Sequence, residues 1–276
     1  MVAVAYFAAM ACLAVWHGLS PLQLSLAWAL PLVLAAAARL ETLHGVPWTR
    51  GLREWASLAL ILLAYWELQW FRTSYWEPWE LRFESWDVAL MAAWSPWLGE
   101  FPTTPSLFCV GLFQASYALL YALPPIYLGM IYAAGRRANT GPYLFTLFLG
   151  TFSAYFFLPH FPVRSPRMIF SYELVPAIVT IFGKWNVWVL DRFDISTSVF
   201  PSGHVAVAFS GAFGLLRALP GRKAIWIAAF GLALCIWAAT IYSRLHYAAD
   251  GAASFLISVA AWRVSGRWDR YDGVDS

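Results

Sequence analysis

Apolar runs recur along the whole chain, and they constrain its fold more than any other feature of the sequence. A helix needs about 17–25 mostly apolar residues to cross the hydrocarbon core of a bilayer. Each candidate span is expected to be helical, because lipid offers no partner for unpaired backbone groups. The eight candidates are residues 1–17, 22–40, 55–71, 106–134, 141–159, 202–217, 223–242 and 246–263. If the first two form a re-entrant or interfacial hairpin, six membrane-crossing spans remain.

The composition supports a membrane protein. Of the 276 residues, 61% are hydrophobic and 12% are charged, whereas an ordinary soluble domain has about 25% charged residues. A soluble fold of this size could not cover so much apolar surface, which excludes a water-soluble enzyme, a disordered linker and a nucleic-acid-binding domain. The three cysteines have no CxxC spacing, so they indicate neither a disulfide framework nor a zinc site. We therefore predict an all-α, polytopic membrane helical bundle.

Basic residues in the short loops predict how the spans are oriented. They follow the second, fourth, sixth and eighth spans, which places these loops and both termini in the cytoplasm. The loops 72–105 and 160–201 and the turn 243–246 then face the opposite side. These basic residues are Arg39, Arg50, Arg53, Arg136, Arg137, Arg217, Arg222, Lys223, Arg263, Arg267 and Arg270. Most acidic residues lie in the opposite loops, namely Glu77, Glu80, Glu84, Asp87, Glu100, Glu173, Asp191 and Asp194.

The outer loop 72–105 is rich in tryptophan. Its segment 86–99 is predicted to form a short helix in the plane of the lipid headgroups, with indole rings at the interface. An aromatic belt that anchors the bundle is the favoured interpretation, and a role in guiding substrate is the alternative.

One polar cluster on the outer side contains His246 and Asp250. Their spacing of four places both side chains on one helix face, so that the imidazole can reach the carboxylate. Such a carboxylate fixes the histidine tautomer and makes the other ring nitrogen a better nucleophile or base. Ionisable groups near the membrane are usually functional, although this pair could equally hold two helices together.

A second cluster is the segment FPSGH at residues 200–204. Ser202 is a good N-cap for the apolar run that follows, and Gly203 lets another group approach the backbone. A helix N-terminus there would offer free N–H groups to an anion. His204 lies in this first turn and faces the same compartment as His246. By itself the segment is also typical of an ordinary capped helix.

Arginines complete the set of polar residues on this side. Arg164, Arg167 and Arg244 could each bind phosphate oxygens through the guanidinium fork, or could contact anionic lipid headgroups.

Two histidines, one backed by a carboxylate, together with these cations favour phosphoryl transfer, in which one histidine attacks and one protonates the leaving oxygen. A metal site is disfavoured because arginines repel a metal. We expect no metal and no cofactor.

Two of these segments resemble motifs of the membrane-bound type-2 phosphatidic acid phosphatase superfamily. Pro201–His204 matches its PSGH motif, and His246–Asp250 matches its motif ending in His-x-x-x-Asp. The resemblance covers roughly residues 106–263 and implies a six-helix phosphatase core preceded here by two N-terminal spans. It predicts three regions, namely an N-terminal helical hairpin at 1–54, the six-span core at 55–263 and a cytoplasmic tail at 264–276.

The resemblance also implies roles for individual residues. His246 would be the nucleophile that forms a phosphohistidine, Asp250 would orient it, and His204 would protonate the leaving group. Ser202 and the backbone of Gly203 would bind phosphate oxygens, and no metal is required. The arginine of the family's third motif falls on Thr240 here, so either Arg244 replaces it from a different turn or the site works without it.

The predicted function is that of an integral-membrane lipid phosphatase or phosphotransferase. Its expected partners are a lipid phosphate substrate and the membrane itself, and its expected location is the bacterial inner membrane with the site on the extracytoplasmic face. The segment Ser165-Pro166-Arg167 is similar to the Pro-Pro-Arg of the inositolphosphoryl-ceramide-synthase-like branch, so a head-group transferase is the first alternative. A non-enzymatic lipid transporter that uses the same charges to hold headgroups is the second.

Overall fold

The computed structural model describes residues 1–44, 47–71, 75–98, 106–169, 180–195 and 198–268, and these residues contain helices and no strand. The helices are α1 (Val2–Trp16), α2 (Pro21–His44), α3 (Pro47–Ala56), α4 (Ala59–Glu67), α5 (Glu77–Leu98), α6 (Leu107–Leu119), α7 (Leu123–Ala133), α8 (Thr140–Phe157), α9 (Pro166–Ile169), α10 (Ile181–Phe193), α11 (Gly203–Ala218), α12 (Lys223–Tyr242) and α13 (Ala248–Trp268). The all-α fold class is confirmed.

Helix length and hydropathy make this an integral membrane protein. Among the described residues, four helical segments are long and apolar enough to cross a membrane, namely Pro21–Arg39, Leu107–Ala133, Arg137–His160 and Lys223–Tyr242. Each predicted span overlaps at least one helix, but α1 and α11 have only 15 and 16 residues. The count of eight spans therefore stays a prediction.

The predicted third span is broken rather than continuous. Helix α3 ends at Ala56 and α4 begins at Ala59, with a turn between them. The hydroxyl of Ser57 donates to the carbonyl of Glu54 at 2.9 Å, a local bond that competes with regular helix. The expectation of one helix over 55–71 was wrong at this point.

Helix α11 forms the centre of the bundle and packs against α8, α12 and α13. Small residues let these helices approach closely, as is usual between membrane helices. A Cβ atom added at Gly214 would lie 2.9 Å from the carbonyl oxygen of Tyr143, and Ser210 bonds Ser258 at 2.9 Å. This packing fixes the start of α11 beside the turn that leads into α13.

Basic loops meet at one end of the bundle around Glu54. Its buried carboxylate pairs with Arg50 and Arg137 and accepts hydrogen bonds from Tyr132 and Thr140. Burial raises the pKa of Glu54, but these hydrogen bonds outweigh it and leave the pKa below its usual value. The loops after the predicted second and fourth spans thus lie at the same end, as the orientation argument requires.

Helix α5 is longer than the sequence pattern indicates. It begins at Glu77 rather than at residue 86 and ends at Leu98, and the last predicted position, 99, lies outside the described residues. Glu77 and Glu80 in its first turn interact favourably with the positive end of the helix dipole. Helix α13 continues to Trp268, residues 269–276 lie outside the described residues, and the cytoplasmic tail at 264–276 stays a prediction.

Candidate active site

The start of α11 is held against α13 by hydrogen bonds through Ser202. This fully buried residue is the N-cap, and its hydroxyl accepts from the N–H of Val205 at 3.3 Å. Its own N–H donates to the carbonyl of Asp250 at 3.2 Å, and its carbonyl accepts from the hydroxyl of Ser254 at 2.8 Å. The predicted N-cap is therefore present, and it fixes His204 in the adjacent first turn.

Three predicted residues form a hydrogen-bonded chain. The Nδ1 atom of His246 lies 3.2 Å from Oδ2 of Asp250 and 3.1 Å from the carbonyl oxygen of Val199. Its Nε2 atom lies 3.0 Å from Nδ1 of His204. Because Nδ1 has two acceptors, it carries the proton in this network, which leaves the lone pair on Nε2.

The backbone explains how His246 reaches Asp250. The spacing of four suggests two positions on one helix face, but α13 begins only at Ala248, so His246 lies in the turn before it. Asp250 is in the first helical turn, and its Oδ2 also accepts the N–H of Tyr247 at 3.0 Å. The carboxylate thus binds both the imidazole and the backbone that leads into the helix.

Aromatic residues surround His204. The hydroxyl of Tyr117 lies 3.2 Å from Nε2 of His204, and the ring centroids of these two residues are 5.3 Å apart. Tyr65 and Tyr121 present their rings edge-on at 6.3 and 6.5 Å. Sequence reasoning missed these tyrosines, because aromatic residues are frequent in every span and no spacing singles them out.

A pocket opens beside the two histidines. Of the predicted site residues, His204, His246, Gly203 and Arg167 line it. Much of the remaining wall is apolar, which suits the hydrocarbon part of a lipid. These apolar residues are Leu158, Met168, Leu190, Ile195, Val199 and Leu245.

The arginine in this pocket has an acidic partner. Arg167 of α9 forms an ion pair with Asp194, the residue that follows α10, and Tyr65 donates its hydroxyl to the other carboxylate oxygen. Asp194 also lines the pocket. The sequence placed Asp194 only in an acidic outer rim, since nothing local relates it to an arginine 27 residues away.

The two other arginines pair with acidic residues of α5 and are absent from the residues that line this pocket. Arg164 binds Glu80 with both Nε and Nη2, at 3.1 and 2.8 Å, and this bond raises the pKa of Arg164 further above its usual value. The side chain of Arg244 is 2% exposed, and its Nη2 lies 2.5 Å from Oε1 of Glu84. Their contact with a phosphate stays a prediction.

Comparison with known proteins decides the family. A family model described as the PAP2 superfamily matches residues 82–264, which include both histidines, Asp250 and the three arginines. The chain belongs to the PAP2 superfamily. No curated protein and no solved structure matches it. Membership in the PAP2 superfamily supports a phosphatase-type function on lipid phosphates, and the superfamily assignment made from the motifs is confirmed.

The space around Gly203 leaves no room for a larger residue. A Cβ atom added at Gly203 would lie 2.5 Å from Cε1 of Tyr155, far inside van der Waals contact. Tyr155 is buried in α8 and packs beneath the start of α11. A larger residue at 203 would therefore push the first turn of α11, and His204 with it, away from its position.

The described part of this PAP2 superfamily chain contains no group of three or more histidine, cysteine, aspartate or glutamate side chains arranged to hold a metal ion. The polar groups beside the histidines are instead an ion pair and tyrosine hydroxyls. Their chemistry suits hydrogen bonding to oxyanions and hydroxyl groups.

Proposed function

We propose that this protein hydrolyses a lipid phosphate ester by way of a phosphohistidine on His246, without a metal. One observation carries the proposal. Asp250 and the Val199 carbonyl hold Nδ1 of His246, so that Nε2 faces the pocket beside His204. A nucleophilic histidine needs this arrangement, because the carboxylate orients the ring and stabilises the positive charge that develops on it.

The first step transfers the phosphoryl group to the enzyme. The Nε2 lone pair of His246 attacks phosphorus, an N–P bond forms, and the bond from phosphorus to the lipid oxygen breaks. His204, which the negative charge of the bound phosphate keeps protonated, gives its proton to the departing oxygen, which leaves as the lipid alcohol. Because the two histidine nitrogens are only 3.0 Å apart, His204 has to give up this contact as the phosphate enters.

The second step releases phosphate. His204, now neutral, takes a proton from water as the water oxygen attacks phosphorus and the N–P bond breaks. The sum of the two steps converts a phosphate ester and water into an alcohol and phosphate. Arg167 supplies positive charge for the phosphate oxygens, and the N-terminus of α11 is suited to bind a further oxygen.

The direction of α8 supports a site on the extracytoplasmic side. Thr140 at its first turn bonds Glu54, where the basic loops meet, whereas Tyr155 near its other end packs against Gly203. The site is thus at the end opposite to the basic loops. Since basic loops face the cytoplasm, the pocket would open on the extracytoplasmic side. In a bacterium this is the outer face of the inner membrane.

A lipid panel tests the proposal. Purified protein would be supplied with phosphatidic acid, phosphatidylglycerol phosphate, undecaprenyl diphosphate and a phosphorylated sphingolipid precursor, and released phosphate would be measured. The wild type is expected to hydrolyse at least one of them, and His246→Ala is expected to lose turnover while it still binds lipid. His17→Ala, an exposed histidine far along the chain from the site, is the matched control. Lipid binding without any product across the panel would favour a transporter.

A second function is favoured by one specific observation. The ion pair with Asp194 already neutralises part of the positive charge of Arg167. A phosphodiester carries one negative charge and therefore needs less positive charge in the pocket than a phosphate monoester, which carries two. A hydroxyl group of a second lipid would then replace water in the second step, which makes the protein a head-group transferase. New phospholipid instead of free phosphate, when donor and acceptor lipids are both supplied, would identify this activity.

A further inference from the structure

Helix α5 carries three acidic residues on one face. Glu80, Glu84 and Asp87 are four and three positions apart, the spacing that aligns side chains along a helix. All three point toward the loops that carry the site rather than to solvent. Glu80 and Asp87 are each 1% exposed, and the side chain of Glu84 is 12% exposed. We call these three residues the acidic face of α5.

Glu80 holds the loop that leads to Arg167. Its carboxylate accepts the backbone N–H of Arg164 at 2.8 Å as well as the hydrogen bonds from Nε and Nη2 of the guanidinium group. Arg164 is three residues before Arg167, so this contact fixes the loop immediately before the pocket arginine. A carboxylate that binds both backbone and side chain restrains a loop more than a surface ion pair does.

Glu84 reaches the same loop through Arg244. The buried guanidinium of Arg244 binds Glu84, while its backbone carbonyl accepts the N–H of Arg167 at 2.9 Å and the hydroxyl of Ser165 at 3.2 Å. Arg244 has a φ of 56°, in the left-handed region that side chains other than glycine seldom adopt. The ion pair with Glu84 therefore holds an otherwise unfavourable turn two residues before His246.

Asp87 binds the start of α13. Its Oδ1 accepts the backbone N–H of Ala248 at 2.9 Å, midway between His246 and Asp250 in the sequence. The first N–H groups of a helix have no partner within the helix, so a carboxylate there stabilises the helix start. This contact supports the backbone that sets the distance from the imidazole to its carboxylate.

We infer that the acidic face of α5 positions the catalytic groups, with Glu84 and Glu80 as its main positioning residues. Each carboxylate binds a loop within three residues of a proposed site residue, yet none lines the pocket. In this arrangement Arg164 and Arg244 connect α5 to the site and leave Arg167 to meet the phosphate. The inference rests on the proposed function for its kinetic test, but the contacts themselves have a separate test.

The kinetic test compares Glu84→Gln and Glu80→Gln with Glu77→Gln, which changes an exposed acid at the start of the same helix. The substrate is the panel lipid that the wild type hydrolyses fastest. Because misplaced groups lose rate more than binding, kcat is expected to fall about tenfold or more while KM changes less than about twofold. Glu77→Gln should match the wild type. Unchanged kcat in both site variants would overturn the inference.

Folding has to be separated from positioning. Replacing Glu84 takes a carboxylate away from the buried guanidinium of Arg244, which can destabilise the chain. Glu80→Gln is the safer variant, because an amide oxygen still accepts the Arg164 N–H and solvent reaches the half-buried guanidinium. If kcat fell only in proportion to the folded fraction, measured by thermal unfolding in detergent, the contacts would be merely structural and the inference would be wrong.

Hydrogen exchange tests the contacts when no lipid is hydrolysed. In Glu84→Gln, the amides of 163–168 and 244–250 are expected to exchange faster than in the wild type, and Glu77→Gln should leave them unchanged. An inactive wild type with this exchange pattern would contradict the proposed function and support the positioning role of α5. Equal exchange in all three proteins would overturn the positioning role whatever the activity.

Discussion

Nε2 of His246 lies 3.0 Å from Nδ1 of His204, although 42 positions separate the two residues in the chain. The contact brings together the first turn of α11 and the turn before α13. Nδ1 of His246 bonds the carboxylate of Asp250. The carboxylate therefore orients the imidazole of His246, whose Nε2 points to His204. This relationship is the reason to assign the two histidines different tasks in one reaction.

Asp250→Asn should lower kcat strongly while the fold persists. The amide accepts hydrogen bonds through only one oxygen instead of two. It also carries no charge to stabilise the imidazolium of His246. A loss of about 10²- to 10⁴-fold is expected, as for other carboxylates that orient a catalytic histidine. Steady-state hydrolysis in detergent measures it. Asp191→Asn, an exposed acid on α10, is the matched control, and an Asp250→Asn protein as active as this control would contradict the assigned role.

Gly203→Ala should reduce both activity and thermal stability. The new methyl group would meet the Tyr155 ring at 2.5 Å, so the start of α11 has to shift. Gly231→Ala is the control, because a Cβ there meets nothing within 4 Å and alanine is the better helix residue. The temperature of thermal unfolding and kcat should both fall in Gly203→Ala, and neither should fall in Gly231→Ala. Normal behaviour of Gly203→Ala would show that the close approach has no role.

Part of this site could be predicted from the sequence because its signals are local. The helix start at Ser202 and the pairing of His246 with Asp250 each lie within five consecutive residues. Glu84 binds Arg244 across 160 positions, and Asp194 binds Arg167 across 27 positions, so no periodicity reveals either contact.

The same limit applies to the fold. Apolar runs predict helices well, since every backbone group in lipid needs an internal partner. They do not predict the turn at 57–58, where no glycine or proline interrupts the run. Acidic residues in an outer loop are usually solvated, so the buried position of Glu80 and Asp87 becomes evident only when α5 packs on the site loops.

Asp194→Asn should improve binding of a phosphate monoester. The carboxylate competes with the phosphate for Arg167 and repels it, and both effects disappear with the neutral amide. Since a partly exposed ion pair contributes up to about 1 kcal/mol, KM is expected to fall by about fivefold. Initial rates over a range of lipid concentrations measure it. A higher KM would mean that Asp194 instead holds Arg167 ready for the phosphate.

The stability of the protein should depend on pH through Asp87. Burial raises its pKa to about 7; the Ala248 N–H and Arg244 oppose this rise, whereas Asp250 and Glu84 add to it. The folded protein therefore holds the proton more tightly than the unfolded chain, and the free energy of unfolding falls as pH rises from about 4 to about 7.

Asp87→Asn removes this ionisation, and its amide oxygen can still accept the Ala248 N–H. The variant should gain thermal stability relative to the wild type when both are moved from pH 5 to pH 8. Thermal unfolding in detergent at the two pH values provides the comparison, with Glu77→Gln as the control. A constant difference between wild type and Asp87→Asn across this range would exclude Asp87 as the titrating group.

In the proposed mechanism, His246 carries the phosphoryl group during turnover. Rapid acid-free quenching of the protein with a lipid labelled in its phosphate, followed by peptide mapping, tests it most directly. An acid-labile, alkali-stable label is expected on the peptide that contains His246, with no label in His246→Ala. Turnover without label on that peptide, or continued turnover by His246→Ala, would show that the reaction does not pass through a phosphohistidine at this residue.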